Sequence, residues 1–133
     1  SGVILLQHGQ ITLISTELGE LIGETHFTFD IENEDWKQYK GLAFNQREAS
    51  SVNHQDKVEK RIKENFSRWY KKIIPQIEQY AKRYNWQEIH LAGPSELLSD
   101  IQKRLNRRVT SETNRNFSNE SPADILEKII LNY

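Results

Sequence analysis

The chain has 133 residues, of which 36% are hydrophobic and 28% are charged, and its formal net charge is −1. These values are typical of one globular domain with a packed core and exclude a disordered chain. The absence of cysteine excludes disulfides, thiolate metal sites and cysteine nucleophiles. No apolar run approaches the roughly 20 residues of a membrane span, and no signal peptide is visible. We therefore expect a cytoplasmic protein without a membrane or DNA partner.

The charges are segregated along the chain. Residues 1–40 contain seven acidic and two basic side chains, a net charge of −5, and residues 56–85 contain nine basic and four acidic side chains, a net charge of +5. The small net charge of the whole chain therefore results from an acidic and a basic segment that nearly cancel.

The chain contains no methionine and begins with Ser1-Gly2, which resembles the remnant of a cleaved expression tag. We interpret residues 1–133 as a single domain excised from a longer protein, with at least one further domain missing. The alternative is a full-length protein that has lost only its initiator methionine.

The first third of the chain predicts antiparallel strands. Apolar runs at 3–7 and 11–15 flank a His8-Gly9-Gln10 turn and predict a β-hairpin. Residues 24–31 alternate in polarity, which indicates a third strand with one buried face. Residues 32–55 lack periodicity, so we predict a long loop with a helical turn near 35–39.

A single long helix is the strongest prediction, over residues 56–84. Its apolar side chains recur at intervals of three or four residues, as in a helix of about eight turns; they are Val58, Ile62, Phe66, Trp69, Ile73, Ile77, Tyr80 and Tyr84. Pro75 lies inside this pattern and should kink the helix, because it removes the hydrogen bond to the Lys71 carbonyl. Two helices meeting near Ile74 are the alternative.

The last third predicts strands alternating with helices. Residues 88–92 form a short strand, Ser95 caps a second helix, and residues 107–113 form a last strand. Ser121-Pro122 opens a final helix, with serine as N-cap and proline at the first helical position. The fold class is therefore α/β, with a mixed sheet, the order β-β-β-α-β-α-β-α and parallel pairing in the second half.

Side chains that could carry chemistry are scattered. The four histidines lack metal-ligand spacing, so we expect no metal and no cofactor. The single glycine of Gly93-Pro94-Ser95 suits an ordinary strand-to-helix turn better than a phosphate loop. Ser50 and Ser51 lie near His54, but serine catalysis also requires an orienting group, and a flexible polar loop explains these residues better.

One face of the long helix is basic. Lys57, Arg61, Arg68 and Lys72 are spaced 4, 7 and 4 residues apart, about 100° around the helix from its apolar stripe. We call these four residues the basic strip. It could contact RNA phosphates. The alternative is a solvated helix face whose bases pair with Asp56, Glu59 and Glu64.

The order of these features resembles a known family. The features are the three-strand start, the long loop before a basic helix, the run Ile89-His90-Leu91-Ala92-Gly93-Pro94, and Arg107-Arg108-Val109 leading to Ser121-Pro122-Ala123-Asp124-Ile125-Leu126. Over residues 3–131 they resemble the central domain of the archaeo-eukaryotic class I peptide release factors and Pelota. The similarity is closer to the bacterial release-factor-like branch.

This resemblance implies a ribonuclease-H-like layering of sheet and helices and a role at the ribosomal A site, in termination or ribosome rescue. In release factors the loop before the long helix carries Gly-Gly-Gln, which helps water attack the peptidyl-tRNA ester. The equivalent loop here, residues 40–55, has Gln46 preceded by Phe44 and Asn45. Glycines permit backbone conformations that side chains deny, so the departure argues against hydrolysis.

By position in the resemblance, Gln46 is the candidate catalytic residue, and Arg47 and His54 join the basic strip as candidate RNA-binding residues. A non-catalytic protein-binding or structural module that reuses the fold is the alternative. A nuclease is a third option, but its chemistry requires carboxylates clustered around metal, and the strands supply no clear set.

Overall fold

A computed structural model describes residues 1–7, 9–30, 32–39, 52–114, 124–125 and 127–128, with residues 52–67 described as backbone. A six-stranded mixed sheet with the strand order β4-β3-β2-β1-β5-β6 forms its centre. The elements are β1 (Gly2–Gln7), β2 (Gln10–Glu17), β3 (Glu20–Asp30), β4 (Asp35–Tyr39), α1 (Val52–Arg83), β5 (Ile89–Ala92), α2 (Ser95–Arg104) and β6 (Ser111–Thr113). The predicted mixed α/β class is confirmed.

The first three strands form the predicted antiparallel meander. β1 pairs with β2 from Gly2 opposite Ser15 to Gln7 opposite Gln10. β2 pairs along its whole length with residues 20–28 of β3, with a register shift between Ser15 and Thr16. The third strand therefore begins at Glu20, ahead of the predicted start at residue 24.

The predicted helical turn near 35–39 is wrong, because these residues form β4, which pairs antiparallel with β3. Their strand conformation comes from two contacts outside the segment. Phe29 of β3 lies directly opposite Trp36, and the Trp36 side chain is buried in the main core. The element order is therefore β-β-β-β-α-β-α-β over the described residues, with one strand more before α1 than predicted.

The second half of the sheet is parallel, as predicted. β5 runs parallel to β1, and β6 runs parallel to β5. The last strand is shorter than the predicted 107–113 and covers only Ser111–Thr113. Just before it, the Thr110 amide donates a 2.7 Å hydrogen bond to the Ile89 carbonyl, which starts the pairing with β5.

The long helix forms as predicted but begins at Val52, so residues 52–55 belong to it and not to the preceding loop. α1 is one helix through Pro75, and the kink there stays a prediction. Asn85 lies just beyond its end at φ 52°, a left-handed conformation that commonly ends helices. The Trp86 amide donates to the Ala81 carbonyl and closes the last turn.

The sheet has a core on each face, because successive side chains of a strand point to opposite sides. Ile4 and Leu6 of β1 contribute to the larger cluster, together with α1 and α2. Val3 and Leu5 contribute to a smaller cluster that contains Ile125. Asp124 and Ile125 are helical where the final helix was predicted, while Ser121-Pro122 lies outside the described residues. The ribonuclease-H-like layering stays a prediction.

Candidate nucleic-acid interface

The candidate functional loop is bounded by two elements. β4 ends at Tyr39 and α1 begins at Val52, so residues 40–51 connect the edge strand of the sheet to the long helix. Gln46 and Arg47 lie in this segment, outside the residues that the structure describes. His54 was assigned to the loop, but the structure places its backbone in the first turn of α1.

An aromatic cluster sets how the middle of α1 lies on the sheet. The Trp69 ring stacks on Phe29 with a centroid separation of 4.1 Å, and Trp36 meets Phe29 edge-on at 5.2 Å. The Trp36 Nε1 also donates a 2.9 Å hydrogen bond to the Trp69 carbonyl. These contacts join α1 to both β3 and β4, so the strand before the loop and the helix after it form one packed unit.

Tyr70 adds a polar anchor on the same side of α1. Its hydroxyl donates a 2.6 Å hydrogen bond to the Gln7 carbonyl and accepts one of 3.3 Å from the Gly9 amide. Burial raises the pKa of this phenol well above its ordinary value, so the hydroxyl keeps its proton. The Tyr70 hydroxyl thereby fixes α1 to the turn between β1 and β2 through the Gln7 carbonyl and the Gly9 amide.

The opposite side of α1 faces solvent. Because Trp69, Tyr70 and Ile73 are buried, the helical period turns Arg68 and Lys72 outward, and both are exposed. All four residues of the basic strip lie on this one continuous helix. The side chains of Lys57 and Arg61 belong to the part of α1 described only as backbone.

Both strip residues with described side chains contact Glu34, in the turn between β3 and β4. The Arg68 Nη2 lies 3.2 Å from the Glu34 Oε2, and the Lys72 Nζ donates a 2.8 Å hydrogen bond to the Glu34 carbonyl. Glu34 has φ 49°, a left-handed conformation that side chains seldom adopt. The acidic turn is therefore held against the basic helix face.

The ion pair with Glu34 leaves the Arg68 side chain accessible. Side-chain exposure is 63% for Arg68 and 37% for Glu34, and exposed pairs of this kind contribute only about 0–1 kcal/mol. A phosphate could therefore compete with the Glu34 carboxylate for the guanidinium. The predicted partners Asp56, Glu59 and Glu64 have no described side chains, so the solvated-face alternative stays open for the first half of the strip.

Two of the histidines are buried in structural positions. The His26 ring forms hydrogen bonds with the Thr12 hydroxyl (3.0 Å) and the Glu24 carboxylate (2.9 Å). Burial lowers the pKa of His26, although the Glu24 carboxylate opposes this shift. His90 Nδ1 lies 2.7 Å from the Ser111 hydroxyl, and burial likewise lowers its pKa. Within the described residues, no group of three or more His, Asp and Glu side chains could hold a metal ion.

The Gly93-Pro94-Ser95 turn has a structural explanation. Gly93 has φ 147°, and a Cβ atom there would collide with the Leu6 carbonyl. Its amide donates a 3.0 Å hydrogen bond to the Thr113 carbonyl. The predicted N-cap at Ser95 is wrong, because Ser95 is already the first helical residue and Pro94 is the N-cap. Pro94 makes no side-chain capping bond, because its side chain has no hydrogen-bond acceptor.

A sequence model of bacterial archaeo-eukaryotic release factor family 5 matches residues 1–131. The chain belongs to this family. The match includes every described strand and helix, so the predicted resemblance to the bacterial release-factor-like branch is confirmed.

A curated relative gives this release-factor family member no finer assignment. The chain is 24% identical over 127 residues to "Uncharacterized protein YocB" of Bacillus subtilis (strain 168), which covers 96% of the chain and 47% of that protein. The chain thus spans about half the length of the curated relative it matches. Among the described residues, no helix is long and apolar enough to cross a membrane.

Sequence reasoning missed one feature of the candidate interface, the contact of Glu34 with Arg68 and Lys72. The contact depends on β4, which the sequence did not predict. The β3–β4 turn brings Glu34 to the helix because residues 35–39 pair with β3. Trp36, a large aromatic in a polar stretch, was the one local signal that this segment reaches the core.

Proposed function

We propose that this release-factor-like domain binds the ribosome and acts in translation termination or ribosome rescue, with the basic strip of α1 contacting ribosomal RNA. The observation that carries the proposal is the family match over residues 1–131. The exposed bases Arg68 and Lys72, placed on the helix that follows residues 40–51, support it. Backbone phosphates are the groups that such a strip would neutralise.

The packing supports a role for α1 in positioning the loop. Trp36 of β4 donates its indole hydrogen bond to the backbone of α1 at Trp69. This bond holds β4, which precedes residues 40–51, against the middle of α1, which follows them. We therefore propose that RNA binding by the strip presents residues 40–51, with Gln46 and Arg47, to the same RNA.

The proposed activity is binding without efficient ester hydrolysis. The resemblance implies that hydrolysis uses Gly-Gly-Gln, and this chain has Phe44-Asn45-Gln46. Two side chains replace two glycines, which restricts the backbone conformations available just before the glutamine.

Ribosome association is tested by sedimentation of the tagged full-length protein through sucrose at low salt. Replacing Arg61, Arg68 and Lys72 together by Ala should weaken comigration with ribosomes. It should also reduce the slope of log affinity against log salt concentration by about three, one for each lost phosphate contact. A matched control removes three exposed bases elsewhere, by substituting Lys82, Arg83 and Lys103 with Ala. A wild-type protein that never comigrates with ribosomes, or two variants with equal losses, would contradict the proposal.

Hydrolysis is tested separately, with peptidyl-tRNA on stalled ribosomes. We expect little release by the wild type and more by the Phe44→Gly/Asn45→Gly variant, because glycines restore backbone freedom. Adding Gln46→Ala should abolish that gain. Efficient release by the wild type that survives Gln46→Ala would contradict the assignment of Gln46.

A non-catalytic protein-binding module is the second candidate. The contact of Glu34 with Arg68 and Lys72 favours it over RNA binding, because an RNA phosphate must compete with a partner that these bases already have within the chain. A pull-down dominated by one protein partner and insensitive to ribonuclease would support this candidate over ribosome binding.

A further inference from the structure

The hairpin between β2 and β3 ends in a two-residue loop, Leu18-Gly19, and we call residues 17–22 the hairpin tip. Leu18 is 99% exposed, and its neighbours Leu21 and Ile22 are 46% and 44% exposed. Among the described residues, these three are the large hydrophobic side chains that are exposed to solvent. Exposed apolar side chains grouped in this way commonly mark an interaction site.

Leu18 is also unfavourable for the backbone. Leu18 has φ 52° and Gly19 has φ 81°, so both loop residues are left-handed. Two-residue hairpin loops of this geometry favour Asn-Gly or Asp-Gly, because most side chains resist positive φ. Leucine at this position therefore costs conformational energy as well as exposing apolar surface.

The charges beside the loop add a third unfavourable contribution. Glu17 and Glu20 are directly opposite each other where β2 and β3 meet the loop, and like charges in opposed positions destabilise a hairpin. Asn at Leu18, or a base at Glu17, would suit the isolated fold better. Unfavourable conformations that are concentrated in one exposed loop, as at Leu18-Gly19, are typical of functional sites.

The tip extends beyond the body of the sheet. Thr16 makes the last backbone bonds toward the β1 side, to Ser1, and β4 pairs only with residues 26–30 of β3. The base of the hairpin is held firmly, because Gly23 lies against the Tyr84 ring and the Tyr80 hydroxyl of α1, with no room for a Cβ atom. A firmly held projection can enter a partner's recess with little loss of conformational entropy.

We propose that the hairpin tip is a protein-docking element, and that its partner is a different protein with an apolar recess for Leu18 bordered by Lys or Arg. Glu17 and Glu20 supply the complementary negative charge. The same charges repel RNA phosphates and anionic lipid headgroups, which selects protein over nucleic acid or membrane. This surface does not depend on ribosome binding by α1.

The test is site-specific photo-crosslinking in cells that make the full-length protein. p-Benzoylphenylalanine replaces Leu21 at the tip, and the background probe replaces the exposed Gln102 of α2. We expect one protein adduct from the tip, joined at apolar residues that lie beside Lys or Arg. An RNA adduct, an adduct within the same chain or with a second copy of it, or no adduct above the Gln102 background overturns the proposal.

Substitutions then separate docking from folding. Leu18→Asn should weaken binding of the purified partner about tenfold or more, the effect of withdrawing one buried leucine, while the thermal unfolding midpoint stays equal to or above that of the wild type. Glu17→Lys should also abolish the adduct, whereas Glu112→Lys, at an exposed glutamate of β6, should not. Unchanged binding in Leu18→Asn, or a lowered unfolding midpoint, overturns the proposal.

Discussion

The guanidinium of Arg68 lies 3.2 Å from the carboxylate of Glu34, so the turn before β4 supplies an acid to the helix face that carries the basic strip. The contact joins the acidic segment, residues 1–40, to the basic segment, residues 56–85. It also makes Glu34 a competitor for any anion that approaches Arg68.

Removing that competitor should strengthen RNA binding. We expect Glu34→Gln to raise the affinity for a structured RNA at low salt by up to about fivefold, because an exposed ion pair contributes at most about 1 kcal/mol. Glu32→Gln removes the same charge from an exposed residue of the same turn and should have a smaller effect. Equal gains from the two variants, in a fluorescence-anisotropy titration, would assign the effect to net charge and not to the Arg68 contact.

Tyr70→Phe should destabilise the fold by about 1–3 kcal/mol. The substitution keeps the ring but leaves the Gln7 carbonyl and the Gly9 amide without the hydroxyl that bonds both. Urea denaturation should show a lower midpoint with an unchanged m value. A loss below about 0.5 kcal/mol would mean that water replaces the hydroxyl at this turn.

Gly93→Ala should destabilise the protein strongly, and Ser95→Ala should not. The alanine methyl at residue 93 would meet the Leu6 carbonyl in a backbone conformation that favours glycine. Ser95 is exposed and makes no capping bond, so its substitution should change the free energy of unfolding by less than about 0.5 kcal/mol. A loss near 1 kcal/mol in Ser95→Ala would restore the capping role predicted from the sequence.

Stability should fall when the pH drops below the ordinary histidine pKa of 6.5. Burial lowers the pKa of His26 and His90 in the folded protein, so the unfolded chain binds protons first as the pH falls through that value. The free energy of unfolding then rises with pH across this window, from the folded-state pKa values up to about 6.5.

Comparing urea denaturation at pH 7 and pH 5.5 measures this dependence. The double substitution His26→Gln/His90→Gln should flatten it, since most carboxylates titrate at lower pH. His26 is bonded to Thr12 and Glu24, and His90 faces Ser111 and Glu88. An equally steep dependence in the double variant would assign the acid sensitivity to groups other than these histidines.

The elements whose side-chain period is local were predictable. Residues 3–7 and 11–15 pair as expected in β1 and β2, and the stripe through Trp69, Ile73 and Ile77 is buried along α1. The bounds were less accurate where the period ended: α1 begins at Val52 and β6 covers only three residues.

β4 and the Glu34 contact could not be predicted in the same way. Residues 35–39 are mostly polar and exposed, and their strand conformation comes from pairing with β3 and from the burial of Trp36 beneath α1. β4 depends on its hydrogen bonds to β3 and on the contact of Trp36 with Trp69, which is 33 residues away along the chain, so its own sequence carries little signal. The candidate residues Gln46 and Arg47 lie outside the described residues and stay predictions.

The sequence by itself determined the mixed α/β class, the meander of three strands, the long helix and the resemblance to the release-factor family. Hydrophobic periodicity and short ordered motifs are local properties, so they can be read without coordinates. Only the tertiary structure decided that Glu34 meets the basic strip, that His26 and His90 are buried, and that Leu18 projects from a strained turn. These features depend on the register of strands and on which surfaces remain uncovered, which are set by packing between distant residues.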